Sequence, residues 1–571
     1  MKFSLLATAA LVAQVTASTL MEPSIEVKGF SKNWKAEQRV SDSDSVDLYV
    51  VLKHNKANVE KLHNTLMDVS TPSSPLYGQH LSIEEVQEIL DVNSNTTKFV
   101  TEHFEEAGAT VTPNSYGDIL RIQMPAQRAE DYLETELFHF RHEKAPLSSS
   151  ETLIRAGSAY SLPDCLADKV SFVENLLRFP KLSWTPLVSE DEGEIGDDEF
   201  SSCGTKCTGK TTPAVLQNRY GYPTINAADV APGNRMAVAE FQTQFYDSVD
   251  MAAFTETCGL ENDVLVDKLN GNNNEDKCKH GLESCVESLL DIEYIKAVGG
   301  AIPLDVYFSR TFSLFDWSTL VNDDADAAQV HSVSYGNDEI QQTSEEYMQN
   351  VNTEFMKLGA RGISVLFASG DQGVWGRTGK ARSDPVFNPD FPGGSPYVTV
   401  VGGSNFVKRS EIGDEEAWNN GGGGFSNTFA TAEWQTDAVS EYFTTSAATL
   451  PPANQYNSTG RGYPDVSALA GETNTYCIAV HGKFMGVAGT SAAAPVVAGV
   501  LAILNNDRIA AGGAPLGFAN PWIYDCGADC FNDVTSGNNG GPKGGGFDAV
   551  AGWDAATGWG TPIYEGMKAK L

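Results

Sequence analysis

An α/β fold, with a mostly parallel sheet flanked by helices and a smaller α+β domain in front of it, is what the sequence predicts, on three observations. In the last two thirds of the 571 residues, short apolar runs such as "RMAVAEFQ", "LDVYFS", "VHSVSYG", "ISVLFASG" and "YVTVVGG" alternate with helical segments such as "SEEYMQNVNTEFMKLGA". Fully apolar strands separated by helices are the signature of parallel strands covered on both faces. In the first third, the strand-like "VDLYVVLK" and "DILRIQMP" mix with "NVEKLHNTLMDV" and "SIEEVQEILDV", whose apolar residues recur at helical spacing. Between the two regions, seven of the ten residues from Glu190 to Glu199 are acidic, and charges this dense cannot bury themselves, so 188–202 is expected to be an exposed, unstructured and protease-accessible linker.

The ends and the composition narrow the setting. "MKFSLLATAALVAQVTAS" has a lysine, an apolar run and a small-x-small end, and residues 1–17 are expected to be a cleavable secretory signal. No other apolar run approaches the roughly 20 residues needed to span a bilayer. A formal charge of −36 repels phosphates, which excludes nucleic acid and anionic membranes as partners and suits an acidic compartment. Two sequons, at Asn95 and Asn457, are candidate glycosylation sites. Of nine cysteines, eight follow Cys165, an even number that suits up to four disulfides whose pairing the sequence does not reveal. Zinc is disfavoured, because no histidines accompany the C-x-x-x-C pairs at matching spacing.

The chemistry starts at "GVAGTSAAAPVVAGVLAILNN". Ser491 opens a small-residue helix, where free N–H groups and the dipole favour developing negative charge, and its small neighbours leave room for a substrate backbone. "GTSAAAP" resembles the serine motif of subtilisin-like proteases, yet their partners are missing: the first strand carries Glu240 followed by Phe241 instead of an aspartate motif, and none of His280, His331 and His481 sits in a catalytic context. "ESCVESLLDIEYIKAVGG" instead places Glu287 and Asp291 four residues apart, on one face of an otherwise apolar helix. "VLFASGDQG" puts Asp371 at the end of a strand, where a subtilisin has its oxyanion-binding asparagine.

With "ESLLD", "FASGD" and "GTSAAAP" in place, the chain resembles the sedolisins, the serine-carboxyl peptidases, and in "VHSVSYGNDE", "GGGGFSNTF", "NSTGRGYPDVSAL" and "GWDAATGWGTP" their tripeptidyl-peptidase branch. The resemblance implies a subtilisin-like peptidase domain over 203–571 and a ferredoxin-like activation propeptide over 18–187. It implies Ser491 as nucleophile, Glu287 as general base, Asp291 supporting Glu287, and protonated Asp371 at the oxyanion. It also implies one calcium ion held by Asp533, Val534, Val550, Gly552 and Asp554, an oxygen-only set as a hard cation requires. The expected activity is release of tripeptides from free N-termini at low pH by a monomer inhibited by its own propeptide. An acid endopeptidase of the same fold and a catalytically silent secreted binding protein remain the alternatives. The glycines from Gly421 are expected to line the substrate cleft.

Overall fold

The computed structural model describes residues 17–22, 34–143, 152–179, 187–189, 196–242, 244–310, 312–379, 385–445 and 449–571. Apart from residue 17, the expected signal segment lies outside the described residues. The chain divides into two compact units, one of residues 1–55 and 92–179, the other of 56–91 and 180–571.

The first unit is built on β1 (Ser45–Leu52), β2 (Thr110–Pro113), β3 (Ile119–Pro125) and β4 (Val170–Glu174), an antiparallel sheet in the order β2-β3-β1-β4. Between β1 and β2 the chain forms helices α1 (Lys56–Ser70), α2 (Ile83–Leu90) and α3 (Ser94–Glu106), and after β3 it forms α4 (Ala126–Leu133). Strand order and alternation are those of a ferredoxin-like domain. Val50, Leu120, Ile122, Phe104 and Leu133 form its core at 0–1 % exposure, the inward set of alternating strands and amphipathic helices.

The hairpin α1–α2 belongs by contact to the second unit, although it lies within the expected propeptide. Leu62 and Leu66 of α1 and Val86 of α2 are fully buried. Ser82 caps α2 with a capping box to Glu85, so this helix start is specified locally.

The second unit centres on an eight-stranded sheet. Seven strands are parallel: β5 (Met236–Phe241), β6 (Lys268–Asn270), β7 (Leu304–Ser309), β8 (Val330–Val333), β9 (Ser364–Ala368), β10 (Thr399–Phe406) and β12 (Val466–Leu469), in the order β6-β7-β5-β8-β9-β10-β12. β11 (Glu415–Ala417) adds antiparallel to β10. Every residue of β5, β8, β9 and β12 is buried, so helices cover both faces, as continuous apolar strands require. α5 (Val286–Gly299) packs on α8 (Thr490–Ala510), and α6 (Leu314–Asp323) packs on α7 (Glu345–Ala360). Disulfides join Cys203 to Cys258, Cys207 to Cys477, Cys278 to Cys285 and Cys526 to Cys530, which leaves Cys165 free.

The linker departs from its expectation in the described residues. Leu187–Ser189 is a strand, antiparallel to Lys483–Ala488, with Leu187 opposite Ala488. Asp198–Ser201 forms a single 3-10 turn whose Phe200 is buried 6.0 Å from the ring of Phe406. One aromatic anchor outweighs the acidic composition here, because burying a phenylalanine is worth roughly 1.5–3 kcal/mol. Residues 190–195, which hold four of the seven acids, lie outside the described residues.

Candidate active site

The parallel sheet gathers the site at the carboxyl ends of its strands, where an open α/β sheet leaves a crevice. Three strand ends contribute: Glu240 in β5, Ser334 just after β8, and Asp371 after β9, reached through Ser369 and Gly370. Two helices supply the rest. Glu287 and Asp291 lie one turn apart on α5, and Ser491 is the second residue of α8. Gly489 precedes α8 without a side-chain cap of its own; the Thr490 N–H is taken by Asp371 and the Ala492 N–H by the Gly489 carbonyl.

All four sequence-predicted residues meet. Ser491 Oγ lies 3.5 Å from the Ser334 carbonyl oxygen, to which it donates. Ser334 Oγ donates to Asp291 Oδ1 at 2.8 Å and lies 3.3 Å from the Ser491 carbonyl oxygen. Thr490 joins the fourth member: its N–H and its hydroxyl donate to Asp371 Oδ1 at 2.7 and 2.8 Å, and its Oγ1 accepts from the Gly370 N–H at 3.1 Å. Neither Glu287 carboxyl oxygen has a well-formed hydrogen bond, but the Ser491 hydroxyl is close enough to favour its charged form.

Burial sets the electrostatics. Ser491, Glu287 and Asp291 are 3 %, 2 % and 0 % exposed. Loss of hydration pushes the Glu287 and Asp291 carboxyls well above the usual range, with repulsion from Asp291 adding to Glu287 and repulsion from Glu240 adding to Asp291. Asp371 is partly exposed, and burial pushes it up to about 6 against the pull of its Thr490 hydrogen bonds. The group therefore carries fewer charges than carboxyls and titrates as a unit.

Sequence reasoning missed Glu240 as a member. It is 1 % exposed, accepts from the Tyr335 hydroxyl at 3.3 Å, has its other oxygen unpartnered, and is raised well above the usual range by burial and then by Glu287. The signal was a lone carboxylate at the carboxyl end of an otherwise apolar strand. Ser334, whose hydroxyl and carbonyl join the serine to the carboxylates, carries no motif that spacing could reveal.

The histidines are engaged elsewhere. His331 is fully buried in β8, bonded to the Ala328 carbonyl at 3.0 Å and held by desolvation at about 3. His280 bonds its own helix at the Asp276 carbonyl, and His481 bonds the Cys278 carbonyl. Carboxylates thus stand where an imidazole would serve.

The glycines from Gly421, expected to form part of the substrate cleft, pack against the loop that carries Asp371. Gly421 to Gly424 are buried. Gly422 donates to the Gly370 carbonyl at 2.6 Å, and a Cβ on it would lie 1.9 Å from the Ser369 carbonyl oxygen. These residues are small so that their backbone can brace the loop that presents Asp371.

The expected calcium ligands also converge. Asp533 Oδ2 accepts from the Gly552 N–H at 2.9 Å, and Asp554 Oδ2 accepts from the Val550 N–H at 3.0 Å. Among the described residues, the Val534, Val550 and Gly552 carbonyls accept no hydrogen bond and neither aspartate forms an ion pair. Burial pushes Asp554 up to about 7. Two carboxylates without a cation and three free carbonyls fit a hard divalent ion.

A subtilase-type sheet that presents a serine at a helix N-terminus, with buried carboxyls in place of imidazole, defines a serine peptidase of the carboxyl type. Residues 32–179 match the pro-kumamolisin activation domain and residues 236–511 the subtilase family. The chain is 35 % identical over 566 residues to tripeptidyl-peptidase 1 of Mus musculus and 33 % identical over 560 residues to that of Homo sapiens, each alignment covering 94 % of this chain and 93 % of the relative. The solved Pseudomonas sedolisin, a serine-carboxyl proteinase, matches the fold at a TM-score of 0.50 and 23 % identity, over 63 % of this chain and 97 % of that one. The chain belongs to the sedolisin family, with the tripeptidyl-peptidases among its relatives. It is an acid serine-carboxyl peptidase with an activation domain, made as a zymogen.

Proposed function

We propose that the mature protein releases tripeptides from the free N-termini of peptides in an acidic compartment reached through the secretory pathway. The observation that carries the chemistry is the buried cluster in which Ser334 links Ser491 to Asp291, the Ser491 hydroxyl lies close to Glu287, and Asp371 is held beside the start of α8. Ser491 Oγ attacks the scissile carbonyl carbon and its proton passes to ionised Glu287, which Asp291 supports. The carbonyl oxygen becomes an oxyanion, stabilised by the protonated carboxyl of Asp371 and the Ser491 N–H. Collapse expels the amine with the proton from Glu287, and water releases the acyl group by the reverse steps.

The segment Leu187–Ser189 lies beside the strand that leads into Ser491, which supports the propeptide as an intramolecular inhibitor. Four disulfides support an oxidising compartment, and no helix among the described residues is long and apolar enough to cross a membrane. Calcium at Asp533 and Asp554, with the Val534, Val550 and Gly552 carbonyls, would tie the two C-terminal loops together. Asn95 is exposed in the first turn of α3, open to glycosylation, whereas Asn457 donates through Nδ2 to the Ser426 carbonyl at 2.9 Å, a bond a glycosylated amide keeps with its remaining hydrogen.

The test is cleavage of matched peptides with free and blocked N-termini at pH 4–5, with the Ser491→Ala protein as control. Tripeptides from the free peptide alone support the reading; efficient cutting of the blocked peptide establishes the endopeptidase. Unchanged turnover by Ser491→Ala removes Ser491 from the mechanism.

A further inference from the structure

The loop between α1 and α2 ends in a plug. Leu81 donates its N–H to the Ala360 carbonyl at 2.9 Å, which fixes the preceding residue, His80, against the peptidase unit. There the imidazole lies between two glycines. A Cβ on Gly362 would lie 2.6 Å from His80 Cδ2, and a Cβ on Gly517 would lie 2.6 Å from His80 Cε1, so nothing larger than glycine fits on either side. Both glycines also have positive φ, +86° and +68°. His80 Nε2 bonds the Pro515 carbonyl oxygen at 2.8 Å. A carbonyl only accepts, so Nε2 carries the hydrogen, and in the neutral ring Nδ1 is bare. That Nδ1 is sealed from solvent and has no partner.

Protonation adds a hydrogen at Nδ1 with no acceptor, and a charge in a site whose walls are backbone. The surrounding charges give no relief. Burial lowers the His80 pKa against the pull of the Pro515 hydrogen bond, and Arg508, the charged side chain that acts on the ring, also disfavours the imidazolium. Arg508 itself donates to the Ala514 carbonyl at 2.8 Å, with its guanidinium 4.9 Å from the centre of the Tyr77 ring. Arg361, next to Gly362, spends its guanidinium on the Val321, Asn322 and Asp324 carbonyls. On α1, His63 faces Glu433 at 3.6 Å and the Tyr397 hydroxyl at 3.2 Å. That pair is 32 % and 72 % exposed and is screened by water.

We propose that His80 is an acid-sensitive latch: its neutral ring holds the 56–91 hairpin on the peptidase unit, and its protonation releases the hairpin and so starts zymogen activation. The sign follows from linkage. A histidine whose charged form is disfavoured when docked contributes to docking above its free pKa of about 6.5 and loses that contribution as pH falls, about tenfold per pH unit for one proton.

The experiment uses full-length zymogen carrying Ser491→Ala, which cannot process itself and so reports docking apart from catalysis. Amide exchange in 56–91, corrected for intrinsic rates, is expected to speed up about tenfold or more between pH 6.5 and 5, and less than twofold when His80→Gln is added. An equal response in the two proteins, or none in the parent, overturns the latch. If His80→Gln loosens the hairpin already at neutral pH, NMR titration of the His80 ring in the Ser491→Ala parent decides: protonation and loss of hairpin protection at one pH support the latch, and protonation with the hairpin still protected refutes it.

Discussion

Replacing Asp371 by asparagine separates the proton on this side chain from its shape. Asp371 Oδ1 is occupied by the Thr490 N–H and hydroxyl at 2.7 and 2.8 Å, so its other oxygen is the one free to carry a proton toward an oxyanion. With its pKa pushed up to about 6, Asp371 is about 97 % protonated at pH 4.5 and only about 9 % at pH 7. Loss of this one donor lowers the rate roughly tenfold per pH unit above 6, and the ionised form repels the oxyanion as well. In Asp371→Asn the new side chain keeps an oxygen for Thr490 and puts an amide N–H in the free position, neutral at every pH. The variant, processed in trans by wild-type enzyme, is expected to keep kcat/KM within about tenfold of wild type at pH 4.5 and to move the alkaline limb up by at least one unit. Asp371→Ala is expected to lose about 10²–10³ in kcat at all pH values. Initial rates from pH 3.5 to 8, normalised by active-site titration, measure both. The reasoning fails if asparagine loses as much as alanine throughout, or if the alkaline limb stays in place.

Three further outcomes follow from the same structure. Glu240→Gln removes a like charge that raises Asp291, so the acid limb of kcat/KM should shift to lower pH with less than about tenfold change in the maximum; an unmoved limb would separate Glu240 from the site. Because Asp371, Glu339 and Asp390 are pushed up to about 6, 7 and 7 by burial, their stabilising neutral forms are complete below the unfolded values near 4 and are lost as pH rises toward 7. The Tm of mature Ser491→Ala protein should therefore fall by several degrees from pH 4.5 to 7.5, as read by scanning calorimetry, and a rising Tm contradicts this. Chelation at pH 6.5 should lower the Tm of mature protein, calcium should restore it, and Asp554→Asn should abolish the response; a Tm indifferent to chelator removes the ion from Asp533 and Asp554.

What the sequence determined by itself was everything carried by local pattern. The strands β5, β7, β8, β9 and β10 were legible because each is an apolar run long enough to bury on both faces, and α7 because its apolar residues recur at helical spacing. Ser491, Glu287, Asp291 and Asp371 were legible because their motifs are short and contiguous. Tertiary structure decided what depends on distant segments meeting. Glu240 looks like one of many acids until β5 and α5 bring it against Asp291, and Ser334 becomes a link only when β8 ends beneath α8. The glycines from Gly421 read as cleft backbone, and only tertiary structure shows Gly422 packed against Ser369. His80 carries no motif at all. Its chemistry comes from Gly362 and Gly517, hundreds of residues away, which leave room for a neutral ring and none for a second hydrogen-bond acceptor.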